Sequence, residues 1–294
     1  VSSYLSALIL LLSIGVAQDP AYLKKVEAWR ATHEADYRRD YVPLAGLFFL
    51  KPGGNTAGSA KGSAVALPSR VPAEIGRFVY ERDDVRFEPA GGAEVFLGEA
   101  RVTSPVRLRP AESSGPRDEL RIGDITLWVH TSGDRHAIRV RDPQSEVART
   151  FAGFRWYPID ERYRVTARFI ADPKPRQIRV PSLSGDDQVY TTEGMVEFTL
   201  QGRRIRMRPM TTRPGRLFLV FRDATSGKET YGAARFLYAD LQPDGTTVLD
   251  FNEAYNPPCA FNPFTTCPLP LRENRLTVLI RAGELDYKGE AVVP

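Results

Sequence analysis

Strict two-residue alternation constrains this chain more than any other feature. In RYRVTARFI (162–170), Tyr163, Val165, Ala167 and Phe169 alternate with Arg162, Arg164, Thr166 and Arg168. Successive side chains of a strand point to opposite faces, so one side of this segment is built to meet a core and the other to meet water. Similar runs recur at spacings near ten residues, separated by turn residues. ITLWV (125–129) passes through Ser132, Gly133 and Asp134 into HAIRVRD (136–142), with Ile138 and Val140 on one face and Arg139 and Arg141 pointing away. His130 and His136 flank that turn and are expected to face each other across it, as an exposed strand-end pair rather than a metal site. VEFTL and RRIRMR meet at Gln201 and Gly202, ARFLYADL and TTVLDF flank Pro243, Asp244 and Gly245, and LFLVF (217–221) is apolar throughout, as suits a central strand. The pattern predicts a mainly β protein, an antiparallel sandwich or open barrel of many short strands.

One helix precedes the strands. Asp19 and Pro20 supply a carboxylate cap and a proline at the first helical position. Tyr22, Val26, Trp29, His33 and Tyr37 then recur at steps of three or four, an aromatic stripe ending near Asp40 on which His33 reads as a packed residue. VPLAGLFFL (42–50) reads as a buried strand or apolar anchor, and KPGGNTAGSAKGS (51–63) as a flexible Gly/Ser loop. A phosphate loop is rejected there because Gly58 is followed by Ser59, not by a lysine and hydroxyl pair.

Upstream, LSALILLLSIGVA (5–17) ends in small residues with Gly15 and Ala17 at signal-peptidase spacing. It is shorter than the roughly 20 residues that span a bilayer, and no later segment is long and apolar enough to do so. The expectation is a cleaved export signal over 1–17 and a periplasmic or extracellular protein without a transmembrane span. The organisation expected after it is helix, strand and loop over 18–63, a first β half over 64–150 and a second over 151–294, with one continuous domain over 18–294 as the alternative. In 294 residues, Lys+Arg 40 nearly balances Asp+Glu 36 and 42% are hydrophobic, which is ordinary for a folded core. Without a concentrated basic face, nucleic acid is not an expected partner.

Polar groups crowd into 249–284, LDFNEAYNPPCAFNPFTTCPLPLRENRLTVLIRAGE, which holds both cysteines. Cys259 and Cys267 are expected to form a structural disulfide, the usual state of such a pair in an exported chain. Asp223, Asp250 and Glu284 each sit at the end of a predicted strand. Two readings stand for them: an acid and base pair, Asp223 with Asp250, or an ion-pair lattice with Arg222, Arg235, Arg275 or Arg281. Tyr231, Tyr238 and Tyr255 with Asn252, Asn256 and Asn274 add aromatic faces and amides suited to a sugar ring or small anion, although Asn256 before Pro257 also reads as a turn.

FRDATSGKETYG, RFLY, DFN-x-AYNPPCAF, TCPLP, ENRL and AGE together resemble an uncharacterised bacterial family, domain of unknown function 1684. The likeness is clear over 153–284 and looser in GLFFLKPGGNTAGS. It implies a family and a site region, with no activity to carry over. Other chemistries lack their motifs: there is no G-x-S-x-G elbow, no H-E-x-x-H, no calcium loop around Asp240, Asp244 and Asp250, and no dinucleotide fingerprint, so no cofactor or metal is expected. The leading expectation is a binding module for a small polar ligand, a saccharide or carboxylate, contacted by Arg222, Arg235 and Tyr238. The alternatives are an envelope hydrolase using Asp223 and Asp250, and a structural or partner-binding envelope protein.

Overall fold

Asp19 accepts a hydrogen bond from the Ala21 amide at 2.9 Å and Pro20 takes the first helical position, so helix α1, Pro20–Asp40, starts as its sequence dictates. In this computed structural model, which describes residues 19–110 and 117–289, the aromatic stripe of α1 is its packed face, with Tyr22, Val26 and Tyr37 buried. The predicted export signal lies outside the described residues.

The chain then builds two sheets that share one core. The first runs in the order Leu44–Phe49, Arg135–Arg141, Ile125–Ser132, Leu120–Ile122, Phe96–Leu97, Ala100–Arg101. The second runs Val65–Ala66, Gly53–Gly58, Gly76–Glu81, Asp84–Pro89, Val106–Leu108. Phe78, Phe87, Ile125, Leu127, Ile138 and Val140 fill the space between them. The predicted Gly/Ser loop is therefore half wrong, since Gly53–Gly58 is a strand paired with Gly76–Glu81. The buried Asn55 amide donates to the carbonyls of Lys51, Gly53 and Phe78 and accepts from the Lys51 amide, which holds a glycine-rich segment extended where its own side chains have nothing to pack. The hairpin around Gly133 forms as read, but its histidines do not face each other. Its register pairs His130 with Ala137 and His136 with Thr131, so the two imidazoles emerge on opposite faces of the sheet.

A third sheet, Arg235–Asp240, Arg216–Phe221, Met210–Arg213, Asp187–Leu200, Arg164–Pro181, Thr246–Asp250, curls until its outer strands meet at the Leu241–Thr247 bridge, a nearly closed barrel. Arg203–Met207 pairs with Asp187–Leu200 through a turn in which Gln201 and Gly202 both take positive φ, +52° and +73°. Alternation decides the faces: Ala167, Phe198, Leu217, Leu219, Phe221 and Leu249 point inward, and Val278, Ile280 and Ala282 of the closing tail plug one end. Phe218, Val220 and Phe236 point outward and form a third cluster with Tyr37, Phe151 and Phe261. Helix α1 thus docks on the barrel, although a β sandwich of about a hundred residues separates them in sequence. A second short helix, Glu146–Thr150, joins sandwich to barrel.

Candidate ligand site

Arg235 opens its strand on the face that points into the barrel, because Leu237 and Ala239 share that face. Its guanidinium is fully enclosed; it donates to Asp223 Oδ2 at 2.8 Å, to the Ile280 carbonyl at 3.0 Å and to the Ala282 carbonyl. Asp223 is equally enclosed and accepts from the amides of Thr225 and Ile280. The pair pins the apolar tail into the barrel mouth. Gly283 follows at φ +80°, where a Cβ would meet the carbonyl oxygens of Ala254 and Phe251 and the Arg235 guanidinium. Mutual pairing in a closed space is the lattice arrangement, and neither side chain reaches an open concavity.

The amides do similar work. Asn252 Nδ2 donates to Tyr22 Oη, the Asp160 carbonyl and Asp250, while its Oδ1 accepts from the Asp160 amide. Asn274 bridges the backbone of Arg208 to the Val220 carbonyl. Asn256 holds both oxygens of Glu284 through its backbone and side-chain nitrogens, at 2.8 and 2.9 Å. Burial pushes the Glu284 carboxyl up to about 8, partly offset by those two bonds and by Arg235. Arg222 lies in a backbone bridge with Arg275, and the Tyr231 hydroxyl donates to the Cys259 carbonyl at 3.3 Å. Cys259 and Cys267 are joined in a disulfide as expected. Within the loop they close, Asn262 donates to the carbonyls of Tyr41 and Leu44, so the loop wedges between barrel and sandwich.

Three of the predicted residues, Tyr238, Asp250 and Tyr255, line one cleft of about 500 Å³ between α1 and the outer face of the barrel. Trp29 and His33 form its helix wall, and Lys25, Arg164, Arg216 and Glu253 its charged margin. Tyr238 lies flat on Phe218 at 4.6 Å with the Arg216 guanidinium 5.0 Å from its ring. The His33 ring stacks on Trp29 at 4.9 Å and meets Tyr255 at 4.5 Å; burial pushes it down to about 4, so it is a neutral part of the wall. The two carboxyls differ in surroundings. Asp250 accepts from Tyr22 Oη and from Asn252, whereas burial and the neighbouring Asp250 raise Glu253 above the usual glutamate range. The cleft therefore offers aromatic faces, fixed acceptors, a carboxyl raised above its usual range and three cations in one space.

Sequence reading found the barrel's share of this cleft and missed the helix's share. Trp29 and His33 were visible as a packed stripe, but no periodicity says which strand the stripe will face. Glu253 is the unspecified position of DFN-x-AYNPPCAF, and nothing in its immediate neighbours marks it as a cleft residue.

Comparisons place residues 149–285 under a family model described as a protein of unknown function, DUF1684. A solution NMR structure of an uncharacterized protein of Haloarcula marismortui is 31% identical, covering 46% of this chain and 77% of that one, with a TM-score of 0.38. No curated protein matches the chain. The family match takes in the barrel, with the Asp223–Arg235 pair, Asn252, Asn256, Asn274 and the disulfide loop; the chain belongs to the DUF1684 family.

Proposed function

We propose that the protein is an exported binding module whose cleft between α1 and the barrel takes a small polar ligand, a saccharide or a carboxylate. One observation carries the reading: Trp29, Tyr238 and Tyr255 share a single open space with Asp250, Glu253, Lys25, Arg164 and Arg216. Ring faces stack on the apolar face of a sugar, and charged groups at the margin take its hydroxyls or a carboxylate. The disulfide is in keeping with an oxidising compartment. The test is a thermal-shift panel of neutral saccharides and small carboxylates on the wild type and on Tyr238→Ala. Hits lost in the variant support the cleft, and an identical response of both proteins to every hit removes it.

A hydrolase is the second reading, favoured by two carboxyls in different environments at that cleft. The pair available is Asp250 with Glu253, because Asp223 is spent on Arg235. It requires turnover that vanishes in both Glu253→Gln and Asp250→Asn; activity retained in either variant excludes the pair.

A further inference from the structure

The charges that line the cleft between α1 and the barrel are set in pairs by the register of the sheet. Arg216 sits directly opposite Asp240 on the neighbouring strand, and their side chains meet at 2.6 Å. Arg164 sits directly opposite Asp250, with the charged atoms 3.9 Å apart. The third cation, Lys25, comes from the helix, and its charge acts on Glu253. Three cations thus stand against three carboxylates, so the lining carries no formal net charge when all six are ionised. A free ion entering this space meets partners that are already taken.

That balance selects among polar ligands. A carboxylate only accepts hydrogen bonds and an ammonium only donates them, so either one matches half of such a lining and is repelled by the other half. A hydroxyl does both. Two adjacent hydroxyls of a sugar accept from a guanidinium and donate to the carboxylate beside it, which leaves the ion pair intact. The Arg216–Asp240 pair is placed for this role. Its guanidinium bonds Asp240 Oδ2, while Oδ1 receives no hydrogen bond among the described residues and the aspartate is exposed. The neighbouring rings are braced from behind: Tyr238 lies on Phe218 at 4.6 Å and 17°, and Trp29 on His33 at 4.9 Å and 12°. Fixed rings beside a donor–acceptor pair suit the apolar face and the hydroxyl edge of one sugar ring.

We propose that the ligand of this cleft is a neutral saccharide, its ring lying along Trp29 and Tyr238 and two adjacent hydroxyls bridging Arg216 and Asp240. The inference rests on the reading of the cleft as a small-ligand site and narrows it, setting carboxylates aside. Asp240 is then the residue that keeps acids out, because it neutralises the arginine that lies 5.0 Å from the Tyr238 ring.

The experiment titrates the whole protein at neutral pH with matched sugars and sugar acids, glucose against glucuronate and galactose against galacturonate, with maltose, cellobiose and acetate beside them. The Trp29 indole N–H signal, assigned by Trp29→Phe, is followed by NMR. At least one neutral sugar is expected to shift it saturably at millimolar concentration, and the matching acid to bind about tenfold more weakly or worse. An exposed ion pair adds little to stability, so Asp240→Asn is expected to melt with the wild type. That variant should lose about tenfold in affinity for the neutral sugar and gain affinity for the acid, since Arg216 is then unpaired. A merely structural aspartate would leave the ratio of sugar to acid unchanged, and that result overturns the proposal. Acids that bind the wild type as tightly as their neutral partners also overturn it; if those shifts vanish in Tyr238→Ala, the cleft stands as a ligand site and only the narrowing falls. Shifts from neither class, or shifts that persist in Tyr238→Ala, remove the cleft and the proposal together. Should Asp240→Asn fail to fold, the matched titrations of the wild type decide.

Discussion

The Tyr22 hydroxyl lies 2.9 Å from both carboxylate oxygens of Asp250, 228 residues further along the chain. That contact fixes the register of α1 on the barrel, and Asn252 closes the group by donating to both partners.

Removing the hydroxyl leaves a buried carboxylate with one donor fewer. Tyr22→Phe is expected to lower stability by about 2 kcal/mol, the scale of a hydrogen bond to a charged group. Urea melts of the two proteins check this, and superimposable curves would mean that the contact contributes nothing.

The Asp223–Arg235 pair is enclosed on all sides, so loss of one partner strands the other. Arg235→Met is expected to cost roughly 3–5 kcal/mol, and the double variant Asp223→Leu/Arg235→Met less than the two single changes together. A double-mutant cycle by chemical denaturation measures the difference; strict additivity would show that the pair does not act as a unit.

Stability against pH follows from three buried groups. Glu284 holds its proton up to about 8 in the fold and releases it near 4.5 in the unfolded chain, so its contribution is complete below 4.5 and is lost as pH rises through 8. His33 and His130 act the other way. Held down to about 4 and about 3 against an ordinary 6.5, they favour the fold above 6.5 and oppose it as pH falls. Isothermal urea melts are expected to give a maximum near pH 6.5. Glu284→Gln flattens the alkaline limb and His33→Phe shallows the acid one; an alkaline limb unchanged in Glu284→Gln rules out that carboxyl as its source.

Thiol titration of the denatured protein without reductant is expected to find no free thiol. Reduction, or Cys259→Ser with Cys267→Ser, is expected to cost about 2.6 kcal/mol on the chain-entropy model of a short loop. It should also speed amide exchange at Leu44 and neighbouring residues, since Asn262 of that loop grips the Tyr41 and Leu44 carbonyls. Exchange unaltered at the seam would separate the disulfide from the wedge.

Local chemistry was the legible part of the fold. The Asp19 cap, the alternating faces of 162–170, the Gln201–Gly202 turn and the cysteine pair are each written in neighbouring residues and are found as read. Pairing across long separations was not legible. Arg235 reads as a ligand contact until the closing tail is seen to supply two carbonyls for it, and Asn55 reads as loop until Phe78 arrives to accept its amide proton. The candidate cleft fell between these limits, its strand wall inferred from crowded tyrosines and its helix wall hidden by more than two hundred intervening positions.

The docking of α1 on the barrel makes the molecule a host with a guest. The sandwich leaves and rejoins a single shell made from both flanks of the chain, so the stretch that the family model matches is not the whole of that shell. A protein trimmed to residues 149–285 would keep every signature motif and bare the rings of Trp156 and Tyr255 that Trp29 and His33 now cover. The guest is itself tied to that shell, through Asn262 on the Leu44 carbonyl and Ser132 on Asp186.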